Sequence, residues 1–164
     1  MKKPLDHQGD FVFSGTICHA RTVVADDIEI LRVWKNDKRQ YFHYQEIISP
    51  QQQQRWFATF EQDPSQQLFV CEIDQELVAC IGFRIKTAIR VELFNLICAH
   101  PAYRGQGLAT QLFEFMRSQL AAKGFCEIEL EVLKNNPAAL SWYLKRGFRQ
   151  VGEGPTWLHL LLTP

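Results

Sequence analysis

The chain has 164 residues, of which 46% are hydrophobic, and its formal net charge at pH 7 is zero. A chain of this length buries roughly 70% of its unfolded surface in one core, so a single domain over residues 1–164 is expected. Balanced charge without a long basic run argues against a polyanion-binding surface, and so against nucleic acid as a partner.

The start, Met1 to Asp10, is polar and lacks the apolar run of a secretory signal, and no later stretch is apolar enough to cross a bilayer. A cytoplasmic protein with no membrane partner is expected. Phe11 to Val24 has the β-branched and aromatic character of a strand. Asp26 or Asp27 can then cap a helix carrying Ile28, Leu31 and Trp34. Ser49 and Pro50 open a second helix through Gln51 to Gln54 and on to Trp56, Phe57 and Phe60. Its glutamines read as a solvated face, and Trp34, Trp56 and Phe57 read as core.

Leu68 to Ile73 and Leu77 to Ile85 form a hairpin pattern about Asp74-Gln75. A strand from Ile89 to Ala99 follows, then a helix from Leu108 to Lys123, and a strand from Cys126 to Leu133. A helix after Asn136 and strands near Phe148 to Val151 and Trp157 to Leu162 complete the pattern. The five cysteines, Cys18, Cys71, Cys80, Cys98 and Cys126, show no metal-ligand spacing and read as buried thiols, so no metal is expected.

Arg104-Gly105-Gln106-Gly107-Leu108-Ala109 lies between a strand and a helix. Glycine lets a ligand approach the backbone, and the first turn of a helix offers unpaired N–H groups and a partial positive charge to an anion. Read without context, the same residues make an ordinary tight turn. Further on, Asn136-Pro137-Ala138-Ala139-Leu140-Ser141-Trp142-Tyr143-Leu144-Lys145-Arg146-Gly147-Phe148 reads as a capped helix. Asn136 stands at the N-cap, Pro137 at the first turn and Gly147 at a left-handed stop. Leu140, Tyr143 and Leu144 share a face, which by itself makes Tyr143 a core residue.

Both blocks resemble signatures of the GNAT family of N-acetyltransferases. Arg104, Gly107 and Ala109 fill the fixed places of its acetyl-CoA motif, and the Asn136 to Phe148 block is similar to its C-terminal motif. The element order is similar over almost the whole chain. The resemblance implies an α/β (α+β) fold, a mixed and mostly antiparallel sheet of about seven strands flanked by about four helices. It also implies acetyl-CoA as co-substrate and a small-molecule amine as acceptor, with a homodimer left open.

Carried over residue by residue, the resemblance puts the main chain of Ile97, Cys98 and Ala99 on the pantetheine arm. The pyrophosphate falls on Arg104, Gly105, Gln106, Gly107, Leu108 and Ala109, with Asn136 on the arm and Tyr143 as general acid. The reaction needs a neutral amine, and a lysine-like amine with a pKa near 10.4 is neutral only about once in 10³ at pH 7, so a base would help. Counting back from the glycine motif puts the family's strand glutamate at Leu93. Glu92 is one residue away and points to the opposite face unless a bulge intervenes; an ion-paired or solvated Glu92 is the competing reading. Asn95 has the expected parity and could hold substrate or a relay water. His43, Glu46 and His100 are looser candidates.

The first two helices are similar to those of PseH-like enzymes that acetylate amino sugars on nucleotide carriers, and also to ribosomal-protein N-terminal acetyltransferases. A non-catalytic acyl-CoA sensor is the remaining class.

Overall fold

A computed structural model describes residues 8–164, so the opening residues Met1 to His7 lie outside the described part. The strands are β1 (Gly9–Phe13), β2 (Thr16–Thr22), β3 (Gln66–Ile73), β4 (Glu76–Ile85), β5 (Arg90–Cys98), β6 (Glu127–Leu133), β7 (Arg149–Glu153) and β8 (Trp157–Leu162). The helices are α1 (Ile28–Asp37), α2 (Pro50–Phe60), α3 (Leu108–Ala122) and α4 (Pro137–Leu144). All eight strands join one sheet in the order β1-β2-β3-β4-β5-β6-β8-β7. Every pairing is antiparallel except β5 with β6.

The expected strand from Phe11 to Val24 is a hairpin, which raises the count from about seven to eight. Ser14 and Gly15 have φ of 49° and 77°, and this left-handed pair turns the chain back on itself. Asp74 and Gln75 turn the β3–β4 hairpin in the same way, with φ of 50° and 68°.

One-face-in, one-face-out alternation gives the sheet two cores. Phe69, Cys71 and Ile73 of β3 face the larger core, under α3 and α4, whereas Leu68 and Val70 face a smaller one under α1 and α2. Ser49 caps α2, accepting from Gln52 N while Gln52 Oε1 accepts from Ser49 N at 2.8 Å. The glutamines are not uniformly solvated: Gln53 is buried, and its Nε2 donates to Ile28 O at 3.0 Å, tying α2 to α1.

Neither Asp26 nor Asp27 caps α1 through its side chain. Asp27 is buried instead. Its carboxylate accepts from Val24 N at 2.8 Å and takes a two-pronged contact from Arg21 at 2.7 and 2.9 Å. Arg21 also holds Glu72 of β3, so one guanidinium anchors the start of α1 to the sheet. In α4, Tyr143 is buried and Leu140 packs on the larger core, but Leu144 is exposed.

Candidate active site

The β5–β6 ladder runs only from Arg90/Glu127 to Glu92/Glu129, and beyond it the two strands part. A cleft of about 530 Å³ fills the gap, bounded by residues 93–98 of β5, residues 130–133 of β6, and Asn136, Ala139 and Tyr143 at the α4 end. A strand that loses its neighbour exposes a row of main-chain donors and acceptors. Ala99 N donates to Val78 O at 3.2 Å on the β4 side. Because successive residues turn these groups to alternate edges, the N–H and C=O of Cys98 face the open cleft. Of the three residues expected to act through the main chain, Cys98 has its groups free; Ile97 and Ala99 are turned to β4.

Gly105 and Gly107 have φ of 68° and 89°, and Gly107 opens α3 from a left-handed conformation. No atom lies within 4 Å of where a Cβ would stand at either, so backbone conformation alone asks for glycine there. The first intrahelical bond is Gln111 N to Gly107 O, at 3.1 Å. None of the N–H groups from Gly105 to Thr110 has a hydrogen-bond partner of good geometry among the described residues. Arg104 turns away from this array and donates from Nη2 to Ala99 O at 3.3 Å, closing the loop onto the end of β5. Six adjacent donors at a helix start suit a pyrophosphate.

Asn136 caps α4, its Oδ1 accepting from Ala139 N at 3.2 Å, and the remaining amide N–H₂ lies at the cleft wall. Tyr143 is wedged edge-on between Trp142 and Phe148, with ring centroids 5.1 and 5.3 Å away. Burial raises its phenol above the ordinary pKa, so the hydroxyl keeps its proton. No described residue hydrogen-bonds to that hydroxyl, and it lines the cleft. Burial also pushes the Cys98 thiol up to about 12, which makes it a poor nucleophile. The expectation of five buried thiols fails at two places, since Cys98 is half-buried and Cys126 exposed.

The position of Glu92 turns on one backbone irregularity. Gly82 pairs with Phe94 but Cys80 pairs with Ile97, so β5 has one residue more than β4 over this stretch, and Asn95 within it has φ of 49°. This bulge reverses the alternation. Val91, Leu93, Leu96 and Cys98 face the larger core, while Phe94, Ile97 and Ala99 face the smaller one, together with Glu92. The unbroken count that favoured Leu93 and the parity of Asn95 therefore does not hold: Leu93 is buried in the core, and Glu92 lines the cleft.

Glu92 is ion-paired to Arg84 and, at 3.4 Å, to Lys86. Phe94 lies over Gly82, where a Cβ would come within 2.5 Å of the ring, and the Arg84 guanidinium lies over that ring at 5.1 Å. Asn95 lines both this cleft and an adjoining cavity of about 230 Å³ under α1 and α2. Trp56 lines both as well while stacking on Phe60 at 4.8 Å, so it is more than a core residue.

The looser histidine candidates have other partners. His43 meets Glu131 at 2.7 Å, both of them lining the cleft, and His100 accepts from Ala102 N and faces Glu76. Glu46 is exposed and lines neither cavity. Lys35 and Arg84 escaped the sequence reading. Lys35 carried a signal: it follows Leu31 by four residues, which places a cation on the apolar stripe of α1.

The family model for the acetyltransferase (GNAT) family matches residues 30–148. The chain belongs to the GNAT family. No curated protein matches it in sequence. Among solved structures, the Vibrio cholerae spermidine N-acetyltransferase in complex with CoA and spermine is 20% identical, with a TM-score of 0.72 over 89% of this chain and 95% of that one. The Campylobacter jejuni N-acetyltransferase PseH is 20% identical, with a TM-score of 0.68 over 89% and 97%. FdhC, a nucleotide-linked sugar GNAT solved in its apo form, is 16% identical, with a TM-score of 0.74 over 94% and 91%. At these identities the likeness is one of fold.

Proposed function

We propose that this chain transfers an acetyl group from acetyl-CoA to the primary amine of a small molecule, with an amino sugar on a nucleotide carrier as the acceptor class. The observation that carries the reading is the pairing of an open strand edge with an unpaired helix start. Cys98 and Tyr143 line one cleft at the point where β5 loses β6, and the N–H array from Gly105 to Thr110 follows directly in the chain, its loop closed onto the end of β5 by Arg104. In this reading the pyrophosphate rests on the array, the pantetheine arm extends β5 along its open edge, and the Asn136 amide donates to the arm. The five unpaired cysteines suit a reducing, cytoplasmic setting.

The chemistry is direct attack in a ternary complex. The amine nitrogen forms a C–N bond to the thioester carbonyl, the C–S bond breaks, and Tyr143 gives its proton to the departing thiolate. The proton released by the amine passes to Glu92 or to a water beside Asn95, and solvent restores the Tyr143 hydroxyl. In this reading the free main-chain N–H of Cys98 on β5 polarises the carbonyl. The high pKa of Cys98 disfavours an acyl-cysteine intermediate.

Release of CoA thiol by purified protein tests this, with 4-amino-sugar nucleotides, N-terminal peptides, polyamines and aminoglycosides as acceptors. Turnover on the sugar nucleotides is expected. Turnover on peptides instead would move the chain to the N-terminal acetyltransferase class, and acetyl-CoA binding with no turnover would make it a sensor.

A further inference from the structure

Lys35 and Lys38 sit one turn apart at the end of α1 and both line the main cleft; Lys35 also lines the adjoining cavity. The other charged side chains along the main cleft have polar partners, with Glu92 held by Arg84 and Lys86 and Glu131 meeting His43 at 2.7 Å. Neither lysine has a carboxylate within ion-pair distance among the described residues. Lys35 Nζ rests 5.0 Å above the Phe42 ring, a contact that supplies no counter-charge. A largely desolvated ammonium with no counterion, beside the face that carries Glu92 and Asn95, is matched by a negative group entering from outside.

We propose that Lys35, assisted by Lys38, holds an anionic group of the acceptor, so that the substrate is a small amine that also carries a phosphate or a carboxylate. The inference rests on the N-acetyltransferase reading and assigns the residues that hold the acceptor's anionic group. Burial lowers the Lys35 pKa in the free protein, the direction expected of a cation lacking its partner. The same excess of positive charge works against a polyamine in this cleft.

Two matched pairs test it, each differing in charge: β-alanine against β-alaninamide, and a uridine-diphosphate-linked 4-amino sugar against its methyl glycoside. The wild type is expected to prefer one anionic member at least tenfold in kcat/KM, and which pair responds tells carboxylate from phosphate. Lys35→Met keeps the packing over Phe42 and is expected to reduce that preference about 10- to 100-fold, mostly through KM. Lys38→Gln, at the C-terminal cap of α1, reduces it by a smaller factor and guards against a folding artefact at Lys35. Equal use of both members by the wild type, or a preference that both variants retain, overturns the proposal. Calorimetry on the CoA-saturated protein separates the two failures. Lys35-dependent binding of an anionic member without turnover leaves the anion site standing and sinks the transferase reading, whereas no preference in binding sinks the anion site.

Discussion

The two ends of the proposed site are built from different materials. The end around Gly105 to Thr110 and Cys98 offers main-chain donors whose placement depends on φ values and on where a strand loses its neighbour. The end around Glu92, Asn95, Lys35 and Trp56 offers side chains, and their placement depends on one bulge and on how α1 sits over the sheet. A backbone site is indifferent to most substitutions beside it, while a side-chain site can be respecified one residue at a time. The first suits a co-substrate shared across the family, and the second suits an acceptor that differs between members.

Damage to one end should spare the other. The largest effect is expected from Asp27→Ala, which leaves Arg21 without its buried partner and loosens the start of α1. Unfolding in urea should show a loss of about 3 kcal/mol. At a temperature where the variant stays folded, the KM for the acceptor should rise more than that for acetyl-CoA. Gly107→Val forces a β-branched residue into a left-handed conformation at the head of the N–H array. Its dissociation constant for acetyl-CoA, read by calorimetry, should rise roughly 50-fold, with the acceptor KM little changed.

Tyr143→Phe should lower kcat roughly tenfold without abolishing turnover, because a thiol with a pKa near 8.5 leaves without much help at neutral pH. Unchanged kcat would remove Tyr143 from the chemistry. The smallest effect sharpens the comparison from the side of stability. The Lys35 pKa is lowered on folding, so the unfolded chain holds that proton more tightly, and the cost of burying the charge is full below the lowered pKa. Lys35→Met should therefore melt higher than wild type at pH 7, and the difference should shrink as pH rises towards 10.5.

What the sequence disclosed divides along the same line. Glycine at 105 and 107, Asn136 before Pro137, and Ser49 before Pro50 are local signals, and each stands where the spacing predicts because a cap or a positive φ needs only its neighbours. The Glu92 register was hidden, since the bulge at Asn95 is held by long-range pairing of β4 with β5 and by the fit of the Phe94 ring over Gly82. Nothing in a two-residue alternation announces it. The role of Asp27 was hidden for a similar reason: its partners are at Arg21 and, through that guanidinium, at Glu72, 45 residues further along the chain than Asp27.

The most direct test of the account is to follow the acetyl group itself. Acetyl-CoA labelled with carbon-13 in the acetyl group, mixed with the protein and an amine panel, should place the label on one amine in a single turnover and leave the protein mass unchanged, with slower transfer in Tyr143→Phe. Label retained on the protein, at Cys98 or elsewhere, or label that stays on CoA while the complex forms, would contradict direct transfer from acetyl-CoA to an amine.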